Sequence, residues 1–116
     1  AGTGNKSELA IGYFTKYGDG GVDVEPLGEL YKWQVRQLAL HLGIPQPIID
    51  RPPSAGLWAG QTDESEMGIT YEDLDATLAA IESGETQDVP GHLLAKVPRM
   101  IAASDHKRAM PPSCPL

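Results

Sequence analysis

The first twenty-one residues constrain this chain most, because they are too polar and too rich in glycine to build a core. Gly2–Glu8 reads GTGNKSE, and within one helix length Phe14–Gly21 reads FTKYGDGG. Both stretches mix glycines, hydroxyls, lysines and carboxylates, and neither shows the apolar periodicity of a structural element. Backbone donors, cations and oxygen ligands in one segment predict a polyphosphate with its metal ion as the partner.

Size, charge and cysteine content narrow the class of protein. A chain of 116 residues with 41% hydrophobic residues is one domain or a piece of a larger one. The net charge is −7 and the nine Lys and Arg are scattered, which argues against a nucleic-acid partner. No stretch is long enough for a membrane span, and the single Cys114 excludes a disulfide framework, so we expect a cytoplasmic protein. The chain opens on what reads as an interior motif without an initiator Met, and we expect a fragment.

The acidic residues are concentrated between Asp63 and Asp75. Carboxylates are favoured near the positive end of a helix, so this run is predicted to be a solvated loop followed by a helix start. A divalent metal site is the alternative interpretation of the same residues.

Hydrophobic spacing and helix-capping residues predict a mainly helical chain. The first predicted helix runs from a cap at Asn5 or Ser7 to about Thr15, with Gly18 ending it. The second runs from Leu27 to Leu42, with an apolar stripe of Tyr31, Val35, Leu38 and Leu42 and a stop at Gly43. The third runs from a cap at Thr70 to a stop at Gly84, and the fourth from Pro90 past Ile101 with a kink or break at Pro98. The other predicted elements are a brief strand at Val22–Pro26, a helical turn within Ile44–Asp50, a long loop at Ser54–Gly68 and an extended tail at Asp105–Leu116. A lone strand needs neighbours that this chain does not supply, so we expect them upstream.

The residues from Thr3 to Glu8 lead into the first predicted helix, where free N–H groups and the helix dipole favour an anion. Glu8 is a candidate Mg²⁺ ligand, because Mg²⁺ takes one or two carboxylates plus phosphate oxygens. The alternative is that Thr3, Asn5 and Ser7 are ordinary caps and Glu8 is a favourable first-turn charge. Residue types alone leave both interpretations open.

Further charged and hydroxyl side chains are candidates for ligand contacts. Lys16 and Asp23 bracket the glycine-rich turn and can hold opposite ends of a ligand, although charges in loops are often only solvated. Lys32, near the start of its helix, can reach a phosphate or stay in solvent, and Ser54 can be a turn hydroxyl. The basic triplet at 106–108 suits phosphate binding or the capping of a helix C-terminus.

Three segments taken together resemble the C-terminal half of NAD⁺ synthetases. They are GTGNKSELAIGYFTKYGDGGVD, PPSAGLWAGQTDESEMGITYEDLD and the terminal HKR, and they occur in the same order across nearly the whole chain. The resemblance implies an α/β fold, of which this chain is the helix-rich C-terminal portion of an adenine-nucleotide-α-hydrolase-like Rossmann fold. It also implies a lid over the active site, formed by the loop at 54–68.

The implied reaction is the ATP-dependent amidation of deamido-NAD⁺ by ammonia through an adenylated intermediate. Matched to the family's motif, Glu8 is implied to bind Mg²⁺. The positions implied to contact ATP are Thr3, Lys32 and Ser54, and those implied to contact deamido-NAD⁺ are Lys16, Asp23, His106 and Lys107. A homodimer is also implied, with no nucleic-acid or membrane partner.

The chain departs from the family in one respect. The Ser-Gly-Gly-x-Asp-Ser loop that binds pyrophosphate occurs nowhere in these 116 residues. We therefore expect the chain to be inactive by itself. The alternatives are a non-catalytic nucleotide-binding or dimerisation module, and another ATP-dependent ligase of the same pyrophosphatase class, which the GLWAGQTDESEMG segment fits poorly.

Overall fold

The computed structural model describes residues 1–116, and all of its regular secondary structure is α-helical. The helices are α1 (Lys6–Ile11), α2 (Lys32–His41), α3 (Gln46–Ile49), α4 (Asp63–Met67), α5 (Tyr71–Ser83), α6 (Gly91–Ala103) and α7 (Asp105–Arg108). None of these helices combines the length and the apolar character needed to cross a bilayer.

Helices α1, α5 and α6 pack together and form what we call the helical body. Its core has nine buried hydrophobic residues, of which Leu74 and Val97 are fully inaccessible to solvent and Tyr71 is 1% exposed. Tyr71, Leu74 and Leu78 recur at three- and four-residue spacing on α5, so one stripe of that helix faces the core. The prediction of this helix, with its Thr70 cap and Gly84 stop, is confirmed.

Helix α1 is shorter than predicted. Asn5, one of the two caps that the sequence indicated, caps it, and the structure adds a reciprocal capping box with Glu8. It ends at Gly12 and not near Thr15 or Gly18, because Gly12 adopts φ 71°, a left-handed conformation that glycine accepts without strain. A side chain at Gly12 would also collide with Ser104 at the end of α6.

The predicted strand at Val22–Pro26 is wrong, since no strand forms anywhere in the chain. The segment has one backbone partner distant in sequence, the Gly2 N–H, which donates to the Val24 carbonyl at 2.7 Å, and its Glu25 carbonyl accepts from the Gly28 N–H at 3.0 Å in a local turn. The Glu25 carboxylate accepts from the Gly4 N–H at 3.0 Å. A single backbone hydrogen bond to a distant residue and a side-chain contact do not make the repeated ladder that defines a strand.

Helix α2 begins five residues later than predicted, at Lys32, because Leu27–Leu30 form turns. Two side chains of the helical body accept its first N–H groups: Ser7 Oγ accepts from Lys32 N at 2.9 Å, and Asp75 Oδ2 accepts from Trp33 N at 3.0 Å. Ser7 Oγ in turn donates to Asp75 Oδ1. This position of α2 is therefore fixed by polar caps contributed by α1 and α5.

Only the first residue of the apolar stripe predicted for α2, Tyr31, is buried. No residue between Lys32 and His41 is buried, and Leu38, Leu40 and Leu42 are all exposed. We call α2 and α3 with their connection, residues 32–49, the α2–α3 arm. The radius of gyration, 15.5 Å, exceeds the about 13 Å of a compact chain of this size, which agrees with an arm that stands off the body.

The remaining predictions were right in part. The helical turn within Ile44–Asp50 is α3, but the loop predicted at 54–68 contains α4, capped by the Thr62 side chain. Helix α6 runs through Pro98 without a break, and Pro90 is its N-cap. The segment at 105–116 begins with the single turn α7, whose lysine and arginine bond to carbonyls at the end of α1.

Candidate functional site

An open cleft of about 540 Å³ lies between α1, the α2–α3 arm and the segment at 51–55. Its volume is within the range of about 300–1,000 Å³ that is usual for small-molecule sites. Thr3, Glu8, Lys32 and Ser54 all line it, although they are up to 51 residues apart in sequence. The structure thus brings together the four residues predicted to contact ATP or metal.

Glu8 is presented to this cleft by two groups of hydrogen bonds. Its Oε2 accepts from the Asn5 N–H at 3.1 Å as part of the capping box. Its Oε1 accepts from the Tyr71 hydroxyl at 2.9 Å and lies 3.5 Å from Lys32 Nζ. The carboxylate is therefore fixed from both sides, while each of its oxygens keeps lone-pair capacity for a ligand.

Lys32 is held beside Glu8 by the start of α2. Its ammonium lies 4.9 Å above the centre of the Tyr71 ring, which adds a cation–π contact to the ion pair. Both partners of the ion pair are largely buried, with the Lys32 side chain 19% exposed and that of Glu8 16%. A cation at this depth faces the cleft with little water around it, which strengthens its attraction for a phosphate.

Asp63 and Tyr71 belong to this site, and the assignment of ligand contacts from sequence did not include them. The buried Tyr71 hydroxyl lies 3.0 Å from Asp63 Oδ2 and 2.9 Å from Glu8 Oε1. Burial and the negative charge of Glu8 raise the pKa of Tyr71 well above its usual range, so the phenol keeps its proton. From sequence alone, a metal site is the alternative interpretation of the acidic run that begins at Asp63. Only the fold shows that the Asp63 carboxylate shares the Tyr71 hydroxyl with Glu8.

A second polar cluster fixes the segment that carries Ser54. The Ser54 hydroxyl lies 2.7 Å from the Gln61 carbonyl and 2.9 Å from its side-chain oxygen. The Gln61 amide donates to Glu66 at 2.9 Å, and the Tyr13 hydroxyl donates to the same carboxylate at 2.7 Å. These hydrogen bonds lower the pKa of Glu66. These contacts connect the two ends of the loop at 54–61 and link the loop to Tyr13, two residues beyond the end of α1.

A second cleft of about 410 Å³ adjoins the first, and Lys16 and Lys107 line it. The two clefts share Tyr13, Asp19 and Ala55 in their walls. Two of the four positions predicted to contact the dinucleotide thus lie beside the predicted ATP cleft.

The other two positions are not brought into either cleft. Asp23 and His106 are both exposed, and neither lines a cleft. Lys107 donates to the Gly12 carbonyl at 2.8 Å and to the Phe14 carbonyl at 2.6 Å, so its ammonium also caps the C-terminal end of α1. This is the helix-capping role that the sequence left open for the basic triplet.

Several N–H groups at the N-terminus of α1 have acceptors within the chain, which agrees with the alternative interpretation of these residues as ordinary caps. Lys6 N donates to the Leu30 carbonyl at 2.8 Å, and Glu8 N donates to the Asn5 side chain at 3.1 Å. The Gly4 N–H is taken by Glu25. The residues of this segment that line the cleft are Thr3 and Glu8.

Comparison with known proteins gives a consistent result. The family model described as NAD synthase matches residues 1–111. An NH₃-dependent NAD⁺ synthetase of Archaeoglobus fulgidus is 60% identical over 112 residues, which are 97% of this chain and 44% of that protein. Among solved structures, an NMN synthetase of Francisella tularensis is similar with a TM-score of 0.86 and 42% identity over 99% of this chain and 46% of its own.

A second solved structure, an NH₃-dependent NAD synthetase of Campylobacter jejuni, is similar with a TM-score of 0.75 and 27% identity, over 98% of this chain and 44% of its own. The helical architecture is thus that of part of an NAD or NMN synthetase. The chain belongs to the NAD synthase family. It spans less than half the length of the relatives it matches.

Proposed function

We propose that this chain supplies the ATP and metal contacts of an NAD⁺ synthetase, which amidates deamido-NAD⁺ with ammonia at the expense of ATP. The observation that supports this most is the convergence of Thr3, Glu8, Lys32 and Ser54 on one cleft. The same positions match those of the family's nucleotide and metal contacts. The proposal includes the family's Rossmann-like α/β fold for the whole protein, a homodimer and a cytoplasmic location.

The proposed reaction has two steps. A carboxylate oxygen of the nicotinate ring attacks the α-phosphorus of ATP, and pyrophosphate leaves. Ammonia then attacks the carbonyl carbon of the acyl-adenylate, AMP leaves with the bond electrons, and the added nitrogen loses a proton. Lys32 is suited to offset the charge of the phosphates as they separate, because its ammonium is held at the cleft by an ion pair and an aromatic ring.

Mg²⁺ fits the donor set of this cleft. Glu8 would hold it, since hard carboxylate oxygens are the ligands that Mg²⁺ prefers and ligand phosphates supply the rest. When bound, the ion would neutralise phosphate charge during transfer. No group of three or more His, Cys, Asp or Glu side chains gathers in the chain, so the residues here form one part of the coordination sphere.

We place the dinucleotide in the second cleft, beside Lys16 and Lys107, because this cleft shares a wall with the ATP cleft. That arrangement would put the nicotinate carboxylate close to the α-phosphorus. The neighbour of Francisella tularensis is named as an NMN synthetase. It favours a second candidate, in which the same amidation is carried out on a mononucleotide and the product is NMN.

A chimeric enzyme tests both candidates. This chain would replace the matching 44% of the Archaeoglobus fulgidus synthetase, and NAD⁺ and NMN would be quantified after incubation with ATP, Mg²⁺, ammonia and the corresponding acid. We expect NAD⁺ formation by the chimera and none by the 116-residue chain alone. Lys32→Ala should lower kcat/KM by about 10²-fold, the order found when one charge-stabilising group is removed.

Lys96→Ala is the matched control, because Lys96 bonds to the Gly68 carbonyl and lies outside both clefts. It should leave kcat/KM unchanged. Formation of NMN and not NAD⁺ selects the second candidate. A chimera with a native circular-dichroism spectrum and no amide product of either kind contradicts both.

A further inference from the structure

The Tyr71 hydroxyl bonds to two carboxylates that line the first cleft, those of Glu8 and Asp63. Tyr71 is 1% exposed, and its oxygen lies 2.9 Å from Glu8 Oε1 and 3.0 Å from Asp63 Oδ2. Glu8 belongs to α1, Asp63 begins α4, and Tyr71 begins α5. Three elements therefore meet at one phenolic oxygen.

A phenol has one proton, so it donates to one of these carboxylates at a time. The two carboxylates are also held close together, and like charges at short range repel each other. Lys32 offsets this repulsion on the Glu8 side, at 3.5 Å, and its ammonium lies over the Tyr71 ring. Asp63 consequently competes with Glu8 for the hydrogen bond that the Tyr71 hydroxyl donates.

Asp63 is connected to the loop that carries Ser54. Its N–H donates to the Pro53 carbonyl at 3.0 Å, and its Oδ1 lies 3.3 Å from the Tyr13 hydroxyl. Asp63 is therefore connected by hydrogen bonds both to the segment that carries Ser54 and to the Tyr71 hydroxyl.

We propose that Tyr71 is a positioning residue, which orients the Glu8 carboxylate toward the divalent cation and links that orientation to the loop at 53–63 through Asp63. The inference rests on the proposed function in taking Glu8 as the metal ligand. Hydrogen-bonding partners of metal ligands typically change metal affinity or activity by 10- to 100-fold when they are removed. Tyr71 stands in that relation to Glu8.

The test is Tyr71→Phe in the chimeric enzyme, with Tyr31→Phe as the matched control. Tyr31 is also buried and also donates to a carboxylate, that of Glu82, at 2.6 Å, but Glu82 lines neither cleft, whereas Glu8 and Asp63 line the first. Mn²⁺ affinity would be measured by electron paramagnetic resonance in the presence of ATP. We expect Tyr71→Phe to weaken Mn²⁺ binding by about 10-fold or more and Tyr31→Phe to leave it unchanged.

The steady-state prediction is that Tyr71→Phe raises the Mg²⁺ concentration for half-maximal activity while saturating Mg²⁺ restores most of kcat. Equal Mn²⁺ affinities in the two variants, or absence of Mn²⁺ binding by the unsubstituted chimera, overturns the inference. Mn²⁺ binding without any amide product overturns the proposed function and leaves the Tyr71 comparison intact.

A second measurement does not require removal of the hydroxyl. Incorporation of 3-fluorotyrosine gives one ¹⁹F resonance for each of the four tyrosines of this chain. Addition of Mg²⁺ and ATP should shift the Tyr71 resonance and leave that of Tyr31 in place. A Tyr71 resonance that does not respond while Mg²⁺ and ATP are bound contradicts the inference, even where Tyr71→Phe fails to fold.

Discussion

The helical body and the α2–α3 arm are held in place by different forces. The body contains the buried core, in which Leu74 and Val97 are inaccessible to solvent. In the arm, Leu40 is 56% exposed, Leu42 66% and Ile48 64%, and neither α2 nor α3 has a buried residue. Apolar burial therefore stabilises the body, whereas polar caps from Ser7 and Asp75 fix the start of the arm.

This difference bears on function because the cleft lies between the two regions. Glu8 is part of the body, and Lys32 is the first residue of α2. The ion pair between them spans the boundary at 3.5 Å. The geometry of the predicted ATP cleft thus depends on a small set of hydrogen bonds and not on a continuous core, so the cleft can change shape without unfolding of the body.

The largest contrast is expected between buried and exposed leucines. Leu74→Ala in the body should lower the free energy of unfolding by about 2–5 kcal/mol, through lost apolar transfer and the cavity left behind. Leu40→Ala in the arm should change it by no more than about 0.5 kcal/mol, because Leu40 is exposed. Urea denaturation followed by far-ultraviolet circular dichroism measures both. Equal losses would show that the arm is packed in solution.

Two glycines with the same backbone conformation sharpen the comparison. Gly12 in the body and Gly43 in the arm both have φ 71°, so alanine at either position should lose about 1–2 kcal/mol to left-handed strain. Only at Gly12 would the new methyl group collide with a side chain, that of Ser104, while the space at Gly43 is open. We expect Gly12→Ala to cost about 1–3 kcal/mol more, measured as the difference in urea-derived unfolding free energies. Indistinguishable values would contradict the close approach of α1 and α6.

The polar caps can be removed without disturbing the core. Asp75→Ala leaves Ser7 Oγ and Trp33 N without their acceptor, at a cost of about 1–3 kcal/mol. Burial raises the pKa of Asp75, because desolvation disfavours the charged carboxylate. We expect amide hydrogen exchange to accelerate in α2 while α5 and α6 stay protected. Asp73→Ala, an exposed change on the same helix, is the control, and unchanged exchange in α2 of Asp75→Ala would refute the capping role.

The parts of the fold that could be predicted are those whose determinants are close in sequence. The cap at Asn5, which was predicted there or at Ser7, the Thr70 cap and the stops at Gly43 and Gly84 are all local signals, and the structure confirms them. The failures involve distant partners. The start of α2 is set by Ser7, which is 25 residues from Lys32, and by Asp75, which is 42 residues from Trp33.

The site shows the same limit. Glu8, Lys32 and Ser54 were assigned from motif resemblance, and the structure brings them to one cleft, but the bonds that orient them could not be read from spacing. The spacing of Tyr71 on α5 indicates a core residue, and its ring is indeed buried. The bonds of its hydroxyl to Glu8 and Asp63 form only because α1 and α4 pack beside it. Likewise, the sequence shows Lys107 only as a basic residue near a terminus. Its hydrogen bond to the end of α1 becomes visible only in the folded structure.

The smallest predicted effect concerns a surface cluster that joins the first residue of α1 to α5 and to the N-cap of the arm. Glu82 accepts from Lys6 at 2.8 Å and from the Tyr31 hydroxyl at 2.6 Å, and these bonds hold the pKa of Glu82 below its ordinary value of 4.5. The unfolded chain then binds more protons than the folded one just below pH 4.5, so this stabilisation is complete above pH 4.5 and is lost as the pH falls through the lowered pKa. Glu82→Gln should flatten the acid limb of the pH–stability curve and leave its neutral region nearly unchanged, because an exposed pair contributes little. Urea midpoints between pH 3 and pH 7 measure this effect, and Glu85→Gln, at an exposed position, is the control. An acid limb of unaltered slope in Glu82→Gln would show that the cluster does not link arm and body in solution.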